Sequence, residues 1–180
     1  MLRVISGSAK GHKLKCIKGL NTRPTTDRVK ESVFNIIISY IYDSSVLDLF
    51  SGTGNLAIEA LSRGAKSAVL VDNNPLCIKI INQNLEYTKL KSKAKVICED
   101  VNLAVKKLKS KFDIIFIDAP YNKGYIIPVL NQIYNNDVLS DNGLIVVERE
   151  VKDEIADHID FNIVREQNYG GTVVTFLTKY

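Results

Sequence analysis

Asp48-Leu49-Phe50-Ser51-Gly52-Thr53-Gly54-Asn55-Leu56-Ala57 is the stretch that decides the fold. A short apolar run, Val46-Leu47-Asp48-Leu49, feeds two closely spaced glycines, and a helical pattern begins beyond them. Glycine allows a sharp turn and a close approach of backbone to ligand, and the helix behind it presents free N–H groups. A second run, Ala68-Val69-Leu70-Val71, ends at Asp72, 18 residues after Gly54. A carboxylate at the tip of the neighbouring strand suits the hydroxyls of a ribose.

Outward from this turn the chain alternates. Further strand-like runs are Lys95-Val96-Ile97-Cys98, Ile114-Ile115-Phe116-Ile117-Asp118 and Leu144-Ile145-Val146-Val147-Glu148. Pro75–Tyr87 and Val101–Leu108 carry helical spacing between them. Such alternation predicts an α/β, Rossmann-like fold: a mainly parallel sheet covered on both faces, with near-continuous apolar strands buried on both sides. Phe161–Gln167 and Thr172–Thr178, joined at Tyr169-Gly170-Gly171, read as a hairpin, so the last strand is expected to be antiparallel. At the front, Arg3–Ser6 and Lys13–Ile17 flank Gly7 and Gly11 and read as a small basic hairpin. Asp27 reads as the N-cap of a helix through Phe34 and Ile37. With no repeats or linkers, residues 1–180 are expected to form one domain, with a basic N-terminal appendage (1–42) on a core (43–180).

Composition bounds the function. The 180 residues are 46% hydrophobic and 24% charged, enough for a sizeable core. No apolar run is long enough for a membrane span or a signal peptide. The three cysteines form no CxxC pair, and no His, Cys and carboxylate cluster has metal-ligand spacing, so no disulfide framework or metal is expected, and the location is cytoplasmic. Cys77 and Cys98 read as core or near-core residues. The net charge of +4 is unevenly spread: residues 1–31 carry +6 and the rest −2. That split points to an anionic partner for the front of the chain.

The glycine turn admits two cofactor readings. Gly52-Thr53-Gly54-Asn55-Leu56-Ala57 matches a dinucleotide fingerprint and also the loop of an S-adenosylmethionine methyltransferase. Asp48 favours the latter, since a carboxylate repels a pyrophosphate and attracts an ammonium or sulfonium. Glu99-Asp100, before a helical run opening at Val101, offers an acceptor for the adenine amine and also a helix cap. Asp118-Ala119-Pro120-Tyr121 then supplies acceptor chemistry. An exocyclic base amine is a poor nucleophile and must be held still; the Asp118 carboxylate and the Ala119 carbonyl can accept its N–H groups. Pro120 stiffens the turn, and Tyr121 can stack on an extracted base. Asp118 can also take the departing proton.

The chain resembles the class I S-adenosylmethionine-dependent methyltransferases. Asp118-Ala119-Pro120-Tyr121 resembles the [DN]PP[YF] signature of enzymes acting on planar amino groups, with Ala119 where Pro is usual. More narrowly, the chain resembles the bacterial family that methylates guanine N2 in 16S ribosomal RNA. Four further segments carry this: Arg3–Gly7 with Gly11–Leu14, Arg23–Glu31, Val46–Ala60, and Tyr169-Gly170-Gly171-Thr172. The resemblance implies a seven-stranded sheet with S-adenosylmethionine at the carboxyl ends of the strands and S-adenosylhomocysteine as product. It implies a cofactor set of Thr25, Thr26, Asp48, Phe50, Ser51, Gly52, Thr53, Gly54, Asp72, Asn73, Asp100 and Val101, and a catalytic set of Asp118, Ala119, Pro120 and Tyr121. Lys10, His12, Lys13, Arg23 and Arg28 are the expected RNA contacts. The partner implied is 16S rRNA, in the 30S subunit or an assembly intermediate, with a monomeric enzyme.

Three rival readings remain at this point. A methyltransferase acting on DNA adenine or protein glutamine commonly carries Asn where this chain has Asp118. A nicotinamide-dependent oxidoreductase leaves Asp118–Tyr121 and the basic front unexplained. The third is an RNA-binding module without turnover. Tyr87 and Lys91 have the YxxxK spacing of short-chain dehydrogenases but fall away from the expected site, and His158, among acidic neighbours, reads as a solvated residue.

Overall fold

The computed structural model describes residues 2–16, 27–121, 123–153, 155 and 160–180. Helices α1 (Asp27–Ile36) and α2 (Ile38–Ile41) precede an alternating core. The core runs β1 (Ser45–Leu49), α3 (Asn55–Ser62), β2 (Ser67–Asp72), α4 (Pro75–Tyr87), β3 (Ala94–Cys98), α5 (Val101–Lys107), β4 (Phe112–Ile117), α6 (Ile126–Asn135) and β5 (Leu139–Glu150). Strands β6 (Asn162–Tyr169) and β7 (Thr172–Thr178) close the chain. One seven-stranded sheet has the order β3-β2-β1-β4-β5-β7-β6. The first five strands pair in parallel, and β7 is antiparallel to both β5 and β6. This is the Rossmann-like, mainly parallel architecture with an antiparallel last strand that the sequence predicts.

Burial follows position in the sheet. The central strands β1 and β4 are apolar on both faces because helices cover both. One apolar cluster joins α1 and α3 to one face; the other joins α5 and α6 to the opposite face. The expectation of two-sided burial fails at β3, an edge strand that is half-buried or exposed throughout. Cys98, expected in or near the core, sits at its end and is exposed, whereas Cys77 is buried. Helix α6 was not foreseen, although Ile126, Val129, Leu130 and Ile133 have helical spacing and all are buried.

Among the described residues, which stop short of Ile17, the N-terminal hairpin is a single bridge between Arg3 and Lys13, flanked by hydrogen bonds from Leu14 N to Leu2 O and Gly11 N to Val4 O. It does not stand apart from the core. Leu2, Val4, Ala9 and Leu14 are buried in the same cluster as Val33 and Phe34 of α1. Gly7 marks the closest approach: a Cβ there would lie 1.8 Å from the Ser62 carbonyl oxygen, and its φ is +85°. Only glycine permits both. Asp27 stands in the first turn of α1, and its carboxylate takes Arg3 Nε at 2.8 Å. At the other end, Gly170-Gly171 makes the two-residue turn of the β6–β7 hairpin, with φ of +70° at Gly170. Among the described residues no helix is long and apolar enough to cross a membrane.

Candidate functional site

The sheet order reverses between β1 and β4, leaving a crevice at their carboxyl ends where ligands of open α/β sheets bind. Both motifs meet there. Leu49 and Ile117 are in register, and Asp118 N points to Leu49 O at 3.5 Å. The glycine turn leaves β1 with Phe50 at φ +60°, Gly52 at +55° and Gly54 at +77°. Positive φ at a non-glycine is uncommon, so packing must hold Phe50 there. Its ring rests against Tyr125 with centroids 5.7 Å apart. Gly54 packs so tightly that a Cβ would come within 3.1 Å of Leu70 Cδ2.

Carboxylates hold the turn. Asp72 Oδ2 accepts Gly52 N at 2.9 Å, and its Oδ1 accepts Asn74 N at 2.9 Å. Ser51 Oγ donates to the Asp48 carbonyl at 2.6 Å, and Ser51 N bonds the Val71 carbonyl. Asp48 is buried beneath the first turn of α3, its Oδ2 accepting Ala57 N at 3.1 Å. Burial drives its pKa up to about 7; the Ala57 N–H opposes the rise, and the charge of Asp72 adds to it. Asp100 caps α5 by accepting Asn102 N and Leu103 N, next to buried Val101. Asn73 is exposed at the end of β2.

The Asp118 turn is more crowded than the sequence suggested. Ala119 is buried and Pro120 exposed. The hydroxyl of half-buried Tyr121 donates to Glu148 Oε1 at 2.8 Å and lies 3.3 Å from Thr172 Oγ1. Burial pushes the Tyr121 phenol well above its usual range. Asp118 is also pushed well above the carboxylate range, first by burial, then by the facing charges of Glu148 and Asp48. A small cavity is lined by Lys30, Val33, Leu56, Phe116, Ile117, Val146, Glu148 and Val174.

The sequence reading missed three parts of this framework. Glu148 and Thr172 hold Tyr121; Glu148 shares the signal of Asp48, Asp72 and Asp118, an acid in or just after an apolar strand-like run. Asn84 of α4 bridges front and loop, donating to the carbonyls of Lys15 and Thr53 and accepting Lys15 N. Lys30 is fully buried and donates to Arg3 O, Asn55 Oδ1 and Glu59 Oε2 at 2.6, 2.7 and 3.0 Å.

Of the expected RNA contacts, Lys10, Lys13 and Arg28 are exposed. His12 is half-buried, its Nδ1 2.9 Å from the Ala9 carbonyl and its ring against Tyr87. Arg23, Thr25 and Thr26 lie outside the described residues, as does His158. Tyr87, of the dehydrogenase-like spacing, is thereby a structural contact at the far end of α4. Among the described residues no group of three His, Cys, Asp or Glu side chains is placed to hold a metal ion.

A family model described as "Conserved hypothetical protein 95" matches residues 2–178. The Haemophilus influenzae protein named "Ribosomal RNA small subunit methyltransferase D" is 31% identical over 172 residues, 94% of this chain and 89% of the relative. The chain belongs to this methyltransferase D family. Within the family range, YlbH of Bacillus subtilis is 39% identical over 182 residues, covering 99% of each chain. The solved structure of yhhF from Escherichia coli superposes with a TM-score of 0.89 at 28% identity, over 99% of this chain and 98% of that one. Methyltransferase D membership therefore spans the glycine turn, the Asp118 turn and the N-terminal hairpin together.

Proposed function

We propose that this protein transfers a methyl group from S-adenosylmethionine to the exocyclic N2 amine of a guanine in 16S rRNA. The observation that carries the cofactor assignment is the set of acids at the crevice. Among the described residues, Asp48, Asp72 and Asp118 form no ion pair with lysine or arginine, yet repulsion runs from Asp72 to Asp48 and from Asp48 to Asp118. A cation relieves that repulsion; a pyrophosphate worsens it. The donor set therefore fits S-adenosylmethionine. When bound, the cofactor supplies an electrophilic methyl group on a sulfonium. Asp72 and Asn73 would hold its ribose, Asp100 and Val101 its adenine, and the Phe50–Gly54 turn over Asp48 its amino-acid end.

On the acceptor side, Asp118 and the Ala119 carbonyl accept the two N–H groups of the amine, fixing the nitrogen and favouring tetrahedral geometry. Pro120 stiffens the turn. Tyr121, anchored through its hydroxyl, packs on the base, and Asp118 takes the proton released as the N–C bond forms. Lys10, Lys13 and Arg28 contact rRNA phosphates, His12 supports them, and residues 1–42 and 43–180 act as one monomeric domain on the 30S subunit or its precursor.

Incubation with labelled S-adenosylmethionine and 30S particles from cells lacking the enzyme tests the assignment. Label recovered as N2-methylguanosine supports it; label in another nucleoside, in protein, or in none overturns it. Thermal shift by S-adenosylhomocysteine but not NAD separates the reading from an oxidoreductase.

A pH dependence follows. The Asp48 pKa is raised in the folded state, so the folded protein holds a proton that the unfolded chain has lost. Stability without cofactor therefore falls as pH rises from about 4 to about 7 and levels off above that. Asp118 acts in the same direction. Cation binding favours the ionised carboxyls, so S-adenosylmethionine affinity is expected to rise between pH 6 and pH 8 by up to about tenfold per linked proton. Titration calorimetry across that range checks it, and Asp48→Asn is expected to flatten the rise.

A further inference from the structure

Glu148 belongs to the acceptor side of the crevice by three separate observations. The β4–β5 register pairs Ile117 with Val147, which brings Asp118 beside Glu148 on neighbouring parallel strands. Side chains at matching register share a face of the sheet, and neighbouring strands lie about 4.8 Å apart. Glu148 lines a small cavity together with Ile117, which precedes Asp118, and with Phe116, Val146 and Val174. Tyr121, the residue placed against the base, donates its hydroxyl hydrogen to Glu148 at 2.8 Å, with Thr172 beside it.

We infer that Glu148 is a specificity-determining residue that reads the ring N1–H of the target guanine while Asp118 holds the neighbouring amine. The inference rests on the reading above, that guanine N2 is the methyl acceptor. Guanine presents N1–H next to its N2 amine, so both positions are donors. Adenine and cytosine present an unprotonated ring nitrogen next to theirs. Two carboxylates form a wall of acceptors, which matches the guanine edge and faces a lone pair on the other two bases. A carboxylate has about four acceptor positions, so it can accept from Tyr121 and from a base at once.

The test compares wild type with Glu148→Gln on two substrates. One is the 30S particle from cells lacking the enzyme; the other carries adenosine at the position wild type methylates. Glutamine keeps a carbonyl for Tyr121 but adds an N–H pair that clashes with N1–H and suits a bare ring nitrogen. Glu148→Gln is expected to lose about 100-fold in kcat/KM on guanosine particles and at least about tenfold in guanosine-over-adenosine preference. S-adenosylhomocysteine affinity is expected to stay within about twofold, since Glu148 faces the acceptor. Glu148→Asp, still acceptor-only, is expected to slow the reaction but keep the wild-type preference. An unchanged preference in Glu148→Gln, or a lost one in Glu148→Asp, overturns the inference. Failure of wild type to form N2-methylguanosine overturns the underlying reading instead.

Discussion

Asp118→Ala is expected to lower methyl transfer by about a thousandfold or more while leaving S-adenosylhomocysteine binding nearly intact. In the proposed function the variant removes the carboxylate that holds the amine and takes its proton, but it leaves the glycine turn and Asp72 untouched. Single-turnover rates on saturating 30S particles, with cofactor affinity measured separately, check it. Substantial turnover would remove Asp118 from its role. The same variant is expected to raise the melting temperature near pH 7.5. Burial and two facing carboxylates disfavour the charge of Asp118 in the fold, so removing it relieves strain that function requires. Asp118→Asn retains an acceptor but not the base, and is expected to fall between wild type and alanine in rate.

Glu59→Gln is expected to destabilise the fold by about 3–5 kcal/mol, a fall of about 10 °C or more in melting temperature. Glu59 of α3 is fully buried and accepts from Ile5 N, Ser6 N, Lys30 Nζ and Arg63 Nε at 2.8 to 3.0 Å. It thereby fastens the N-terminal hairpin and α1 to the helix that follows the glycine turn. Burial lowers the pKa of Lys30, and the carboxylate of Glu59 is the chief opposing influence. A glutamine aims its own N–H pair at donors and leaves the ammonium without a counter-charge. Arg63, stacked 4.9 Å over the Phe34 ring, loses its partner as well. The double variant Lys30→Met with Glu59→Gln is expected to recover part of the loss, because the uncompensated charge is then gone. A melting temperature for Glu59→Gln close to wild type would show that the network contributes little.

The glycine turn and the acids Asp48, Asp72, Asp100 and Asp118 were legible because their meaning is local. A strand, two glycines and a helix start within ten residues, and the alternation of elements places their ends on one edge. The helix at Ile126–Asn135 was equally local, and its spacing was simply overlooked. The basic front was read less well. Lys30 counted toward the +6 of residues 1–31, yet it is fully buried, and Arg3 is paired with Asp27. The exposed charge of the front is therefore smaller than the sequence sum, and Lys10, Lys13 and Arg28 carry part of it. Glu148 stood in plain view at the end of a quoted strand, but nothing nearby in the chain connects it with Tyr121, 27 residues earlier.

By itself the sequence determined the class of fold, the order of strand and helix, the glycine turn and the acidic character of the crevice. Each depends on periodicity or on contacts a few residues apart, where the backbone leaves little freedom. Only the tertiary structure decided which charges are buried, which strand is an edge, and which carboxyls face one another. Those follow from register and packing between distant segments: β5 beside β4 brings Glu148 to Asp118, and α1 against α3 buries Lys30 on Glu59. A carboxylate or an ammonium has the same formula anywhere in the chain, and it is the desolvation and the partner at its folded position that set its charge and its work.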